Sequence, residues 1–369
     1  MELPSGSWRD AVVSTALPWC VARVAVLFGL ILATVATDQL GVAHPAPLVD
    51  KLLAWDAHQY ERIAEHGYRA IPYGFRFFPA FPLLGRTLGT VLGGHDGLAL
   101  LLLANVAAFA LGVVVYRLVF RETGNPRTAR LSTWLLLATP ATAPLVMGYS
   151  ESFGLLAVVL AFYAMRTNRW RAAVAPAAVV GLTWSIGAFL AVPVAIEAAG
   201  GWRRADGRER WWRGLTVTAP VVATGAYLLW VQHETGHWYR DVFQVQSTIY
   251  HRGFHEPITR IIESGRDLVA GHHAQGLQFI WVGLVLALLV VSYRRLPKSY
   301  AAWTAIVFTL AISADNIDSF ERYITRAFPL AIAGALSLRS ERDEWATVSI
   351  GLAGLVVYAT AIMVGARVP

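Results

Sequence analysis

Residues 97–120 read GLALLLLANVAAFALGVVVYRLVF, a stretch whose single charge is Arg117. A helix crosses a hydrocarbon core of about 30 Å with about 20 mostly apolar residues, so this stretch is long enough to span a bilayer. Four further runs match it in length and character: 11–37, 214–232, 277–293 and 345–366. A single such run could be a leader peptide; five imply an all-α, polytopic membrane protein. The whole chain agrees. Of its 369 residues 56% are hydrophobic and 15% charged, against about 25% charged in an ordinary soluble domain, and the mean hydropathy is +0.49.

Outward from 97–120, the chain alternates between basic and polar connections. Lys and Arg near a span resist translocation, so short basic loops stay in the cytoplasm. Arg121 to Arg130, Arg166 to Arg171, Arg203 to Arg213, Arg294 to Lys298 and Arg339 to Arg342 qualify. With these on one side, 38–96, 233–276, 315–326 and the turn Tyr149–Ser152 face the other. One stretch, 172–199, breaks this parity if it crosses once. A hairpin broken at Thr183-Trp184-Ser185-Ile186-Gly187 restores it, with irregular backbone tolerated where it lines a protein cavity. The count is then about eleven spans in one membrane domain, 1–369. Residues 77–93, with Pro79, Pro82 and Arg86, read as interfacial or re-entrant.

The net charge of +7 comes almost wholly from arginine, Lys51 and Lys298 being the only lysines. That bias suggests a GC-rich, bacterial genome and hence a plasma membrane. No nucleic-acid partner is expected. The first run lacks a small-residue cleavage pattern and is read as a retained span. Cys20, the only cysteine, lies within it, which excludes an intramolecular disulfide and a thiolate metal cluster.

All ten histidines fall in 38–96 and 233–276. They mark either a polar cavity that handles protons or phosphates, or a wet loop in which histidine is tolerated. The pairs His233/His237 and His251/His255 have i,i+4 spacing, but no H-E-x-x-H motif accompanies them and no metal or other cofactor is expected. The first polar loop carries Leu53-Ala54-Trp55-Asp56-Ala57-His58-Gln59-Tyr60-Glu61-Arg62-Ile63-Ala64-Glu65-His66-Gly67-Tyr68, then Phe75-Arg76-Phe77-Phe78-Pro79. Trp and Tyr favour headgroup depth, so the loop is placed to meet a lipid headgroup. Tyr60, Ile63, Ala64 and Gly67 follow Asp56 at helical spacing, predicting a short amphipathic helix. Spacing leaves Asp56 open between helix cap and catalyst. Arg76 suits a lipid phosphate, or stacks on Phe75 or Phe78. Arg322 and Arg326 share a helical face; they suit a phosphate, or pair with Asp318 and Glu321. Glu151 stands where two apolar runs meet, at a depth where an ionisable group suggests function, or in interfacial water.

Taken in order, Trp55-Asp56-Ala57 with Ile63-Ala64-Glu65-His66-Gly67-Tyr68, then Phe77-Phe78-Pro79 and Phe81-Pro82-Leu83, then Gly148-Tyr149-Ser150-Glu151, resemble the PIG-V mannosyltransferases of the GT-C superfamily. Arg322-Tyr323 with Phe328-Pro329 is a weaker island. The resemblance implies a GT-C helical bundle with its active site on the extracytoplasmic side. It implies an inverting transfer, most simply of mannose, from a polyprenyl-phosphate sugar to a glycolipid or lipid-linked glycan. Asp56 becomes the general base; Arg76, Arg322 and Arg326 hold donor phosphate; Trp55, His58, His66, Tyr149 and Glu151 contact substrate. The chain departs from the family at Trp184-Ser185-Ile186-Gly187, where an arginine often opens the motif. Two rival readings are a transporter or flippase for a lipid-linked saccharide, against which the absence of paired repeat halves counts, and a non-catalytic binder of such a lipid.

Overall fold

The computed structural model describes residues 6–40, 48–71, 74–238, 256–270, 273–314 and 319–366. His44, His251, His255, His272 and residues 315–318 lie outside the described residues. In chain order the helices are α1 (Trp8–Leu40), α2 (Leu48–Leu52), α3 (Asp56–His66), α4 (Ala80–Val91), α5 (Asp96–Thr123) and α6 (Pro126–Leu137). Next come α7 (Glu151–Arg166), α8 (Trp170–Gly181), α9 (Ala191–Ala199), α10 (Gly207–Thr235) and α11 (Pro257–Val269). The last five are α12 (His273–Arg295), α13 (Lys298–Ile312), α14 (Phe320–Thr325), α15 (Pro329–Ser337) and α16 (Glu341–Met363). Five of these are long and apolar enough to cross a membrane, at Trp8–Gln39, Asp96–Thr123, Gly207–Thr235, Gln278–Arg295 and Glu341–Met363. They coincide with the five runs expected from sequence, and the protein is an integral membrane protein.

The chain divides into two compact units: Met1–Ile71 with Ala80–Val159 and Gly334–Pro369, and Pro72–Pro79 with Leu160–Ala333. In the first unit α1 packs along α5, α6 and α16. Its core joins Ala22, Val26 and Ala33 of α1 to Leu355, Ala359 and Ile362 of α16, and takes in Ala57 of α3 and Tyr149. The short amphipathic helix joins this core through Ala57 and packs on α4 and α5. The 12 residues of α4 reach only about 18 Å, too short to cross, and α4 lies against both α3 and α5. At that length α4 is not among the helices long and apolar enough to cross a membrane.

In the second unit the helical run breaks after Gly181 and resumes as a 3-10 turn at Gly187–Leu190 leading into α9. One straight helix would set Trp170 and Ala198 about 42 Å apart. Both instead touch Arg213 of α10: its guanidinium lies 4.5 Å from the Trp170 ring centre and its Nη1 donates to the Ala198 carbonyl at 2.7 Å. The stretch is a hairpin, as expected from the charge pattern, and its two ends meet: Arg166 pairs with Glu197 at 3.3 Å. Gly181 makes the approach possible, because a Cβ there would sit 2.3 Å from the Pro220 carbonyl oxygen of α10.

Candidate functional site

Two segments 90 residues apart in sequence converge in the first unit. Gly148 donates its N–H to the Leu52 carbonyl at 2.9 Å, Asp56 donates its N–H to the Tyr149 phenol at 3.3 Å, and the Tyr60 hydroxyl meets the Ser150 hydroxyl at 2.9 Å. Trp55-Asp56-Ala57 and Gly148-Tyr149-Ser150-Glu151 are thus one structure. The fit is tight: a Cβ on Gly148 would lie 2.8 Å from Leu53 Cδ2.

The helix α3 starts differently from the sequence reading. Its capping position is Trp55, and Asp56 is the first helical residue rather than the cap. Trp55 adopts φ 60°, ψ −126°, a conformation L side chains rarely enter and which costs about 1–3 kcal/mol. It persists because the turn is pinned on both sides, by Gly148 on Leu52 and by Tyr149 on Asp56. Such strain gathers at functional sites, where surrounding structure over-determines it. The buried face of α3 is Ala57, Tyr60, Ile63 and Ala64, which leaves Asp56 half-buried at its edge. Glu151 likewise opens its helix, α7. It is 2% exposed, so it lies inside the protein and not in interfacial water. Both carboxylates therefore head helices, where the dipole favours negative charge.

His58 and His66 are exposed and sit 3.5 Å from Glu61 and Glu65 respectively. Burial first, then repulsion from Glu65, pushes the Glu61 carboxyl above its ordinary range, while its hydrogen bond to His58 opposes the shift.

Beneath this cluster lies a polar network that the sequence reading passed over. Arg23 of α1 donates from Nε to Asn105 Oδ1 at 2.9 Å and from Nη2 to the Leu145 carbonyl at 3.1 Å. Asn105 in turn donates to the Val146 carbonyl at 2.9 Å. The irregular backbone leading into Tyr149 thus has two carbonyls satisfied from within, as lipid-excluded backbone demands. The available signal was a charge and an amide inside two apolar runs.

The arginines expected to hold phosphate belong to the second unit. Arg322 and Arg326 are 2% and 9% exposed, and each guanidinium lies 4.8 Å from the Tyr323 ring centre. Arg326 also covers Trp184 at 4.6 Å, and Arg322 Nη2 donates to the Tyr323 hydroxyl at 2.9 Å. The tryptophan that stands where an arginine was looked for is thus faced by a guanidinium from α14's end. Glu321 accepts a hydrogen bond from Gln278 at 3.3 Å, and pairing with Asp318 concerns a residue outside those described. Arg76 lies over the Phe77 ring at 4.7 Å, while Phe75 and Phe78 pack against Trp230 and Tyr227 respectively. The Tyr227 hydroxyl fixes this segment by donating to the Phe75 and Phe77 carbonyls at 2.8 and 2.9 Å.

No family model matches the chain. It is 35% identical over 127 residues to GPI alpha-1,6-mannosyltransferase 2 of Cricetulus griseus, covering 32% of this chain and 25% of that one. The Rattus norvegicus protein of the same name is 34% identical over 158 residues, 38% of this chain and 31% of that one. The matched part is under a third of those relatives' length. Among solved structures, ArnT from Cupriavidus metallidurans bound to undecaprenyl phosphate superposes with a TM-score of 0.54 at 18% identity, over 92% of this chain and 63% of that one. Its apo state gives 0.51 at 17% identity, over 83% and 58%. The fold is the GT-C fold expected from the resemblance.

Proposed function

We propose that the protein is an inverting glycosyltransferase that moves a sugar, most simply mannose, from a polyprenyl-phosphate donor to a glycolipid or lipid-linked glycan. The observation that carries this reading is the welding of Trp55-Asp56 to Gly148–Glu151 through the Leu52, Asp56 and Tyr60 hydrogen bonds. A strained turn holding a carboxylate at a helix start is the build expected of a positioned base. The likeness to mannosyltransferases and to a fold solved with undecaprenyl phosphate supports the substrate class.

In this mechanism Asp56 takes the proton from the acceptor hydroxyl as that oxygen attacks the anomeric carbon. The bond to the donor phosphate breaks and the configuration inverts. A positioned base contributes typically about 10²- to 10⁴-fold in rate. The departing lipid phosphate needs positive charge, for which Arg322, Arg326 and Arg76 are the candidates. Trp55, His58, His66, Tyr149 and Glu151 are assigned to substrate contact. The distribution of basic loops supports an extracytoplasmic site, and the arginine bias supports a bacterial plasma membrane.

The test is to incubate purified protein with labelled polyprenyl-phosphate mannose and a native lipid extract, and to identify the product. A labelled glycolipid formed by wild type and lost in Asp56→Asn supports the proposal. Unchanged turnover in Asp56→Asn removes Asp56 as the base, and binding of the donor without any product points to the non-catalytic reading.

A further inference from the structure

The second unit has a concave surface that the proposed reaction does not use. A cleft of about 680 Å³ opens between the N-terminal ends of α8 and α10, and its lining holds Arg169, Arg171 and Arg208 together with Asp206, Glu209 and Trp212. We propose that this cleft binds the phosphate of an anionic phospholipid headgroup.

The charge balance of the lining is the first argument. Asp206 is committed to capping α10, accepting from the Glu209 N–H at 2.6 Å. Glu209 accepts from Arg213 at Nε and Nη2, at 2.9 and 2.7 Å. Among the described residues Arg169, Arg171 and Arg208 have no ion pair, and all three are exposed. No side chain caps the start of α8, so its dipole adds to the positive field at the same place. Asp206 keeps its negative charge while capping, so the three arginines outnumber it and leave the cleft net positive, which favours an anion. Guanidinium recognises phosphate oxygens through paired hydrogen bonds.

The second argument is depth. The apolar stretch of α10 opens near residue 214, and Arg208 precedes it by about 9 Å of helix. That distance corresponds to the headgroup layer rather than to the hydrocarbon or open water. Tryptophans mark the same layer: Trp211 is 64% and Trp202 42% exposed. The walls of the cleft are aromatic too, since Arg171 lies 5.7 Å from the Trp212 ring centre and Trp170 Nε1 donates to Asn168 at 3.0 Å. At that depth a phosphate with an acyl tail is retained, whereas a free phosphate exchanges with solvent.

Native mass spectrometry of the full chain in neutral detergent tests this, with phosphatidylglycerol, phosphatidylcholine or inorganic phosphate added. The comparison is between R169Q/R171Q/R208Q and a control that removes equal charge elsewhere, R294Q/R295Q/K298Q. Bound phosphatidylglycerol is expected to fall tenfold or more in the first and to stay within about twofold in the second. Equal loss in both variants overturns the proposal in favour of diffuse attraction. Displacement of the bound lipid by millimolar phosphate makes the site one for free phosphate, and equal binding of phosphatidylcholine shows that headgroup charge is not read; either outcome overturns it. If the triple variant fails to fold, Arg171→Gln alone, with an unchanged thermal melt, is expected to lose roughly fivefold; full retention there overturns the proposal as well.

Discussion

In the first unit Asp56 and Glu151 head helices whose starts are tied together by hydrogen bonds, Leu52 to Gly148, Asp56 to Tyr149 and Tyr60 to Ser150. In the second unit Arg322 and Arg326 lie against aromatic faces, sharing Tyr323 and adding Trp184. The difference matters because the two kinds of support fail differently. Hydrogen bonds fix direction and are lost with one oxygen atom. Ring faces attract a cation over a broad area and tolerate changes at the ring's rim. A base must point at one proton; a phosphate clamp has to hold a charge that is spread over several oxygens.

The sharpest break in this comparison is Asp56→Asn. It keeps the shape of the side chain and the backbone N–H on Tyr149, so folding and donor retention are expected to persist while turnover falls by about 10²-fold or more. Single-turnover rates with bound donor check it.

Next in size is the aromatic support of the arginines. Trp184→Leu removes one face from Arg326, and a desolvated cation–π contact is worth up to about 2 kcal/mol. Donor retention, measured as polyprenyl-phosphate bound after delipidation, is expected to weaken about tenfold, with Trp184→Phe recovering most of it. If Leu and Phe behave alike, the ring is packing and not a charge support.

The oxygen-level counterpart is Tyr149→Phe. It removes the acceptor for the Asp56 N–H, a bond worth about 1 kcal/mol, while the ring stays in the core with Ala57 and Met147. Turnover is expected to drop about fivefold through misdirection of Asp56, with little change in donor retention. The same outcome in donor retention as for Trp184→Leu would erase the contrast between the two clusters.

The sequence carried the spans because hydropathy is a property of composition within one segment. It carried the 172–199 hairpin because charge on both flanks forbade a single crossing, and Arg166–Glu197 and Arg213–Ala198 now close it. The resemblance picked out the Trp55 and Gly148 islands, but neither local pattern reveals that they touch, since Asp56 and Tyr149 meet only in the folded chain, where Ala57 and Tyr149 share one core. Nothing in a tryptophan's neighbours announces φ 60°; that conformation is imposed by the tertiary contacts on either side. The cap expected at Asp56 fell at Trp55 for the same reason, the turn being set by the distant Tyr149 and Gly148 rather than by the capping residue's own side chain. The Phe77 face that Arg76 covers was not singled out from sequence, because which ring of an aromatic run meets the cation depends on partners such as Tyr227 and Trp230, far away in the chain.

The smallest expected effect concerns the solvent edge of the first cluster. Glu61 is pushed above the ordinary glutamate range by burial and by Glu65, against the pull of His58, with Asp50 adding slightly to the rise. A carboxyl whose folded-state pKa exceeds its unfolded one binds its proton more tightly when folded, so its ionisation opposes folding. The penalty is absent below the unfolded value, near 4.5, grows as pH rises to the raised folded value, and is constant above it. Glu61→Gln removes the ionisation, so the variant should match wild type at the acid end of that window and melt at slightly higher temperature above it. Thermal unfolding of both proteins in detergent from pH 4 to pH 8 checks the sign. A variant advantage that shrinks as pH rises would mean that the ionised Glu61 is held favourably, with His58 outweighing both burial and Glu65, and that the edge of α3 is wetter than its packing against α4 and α5 implies.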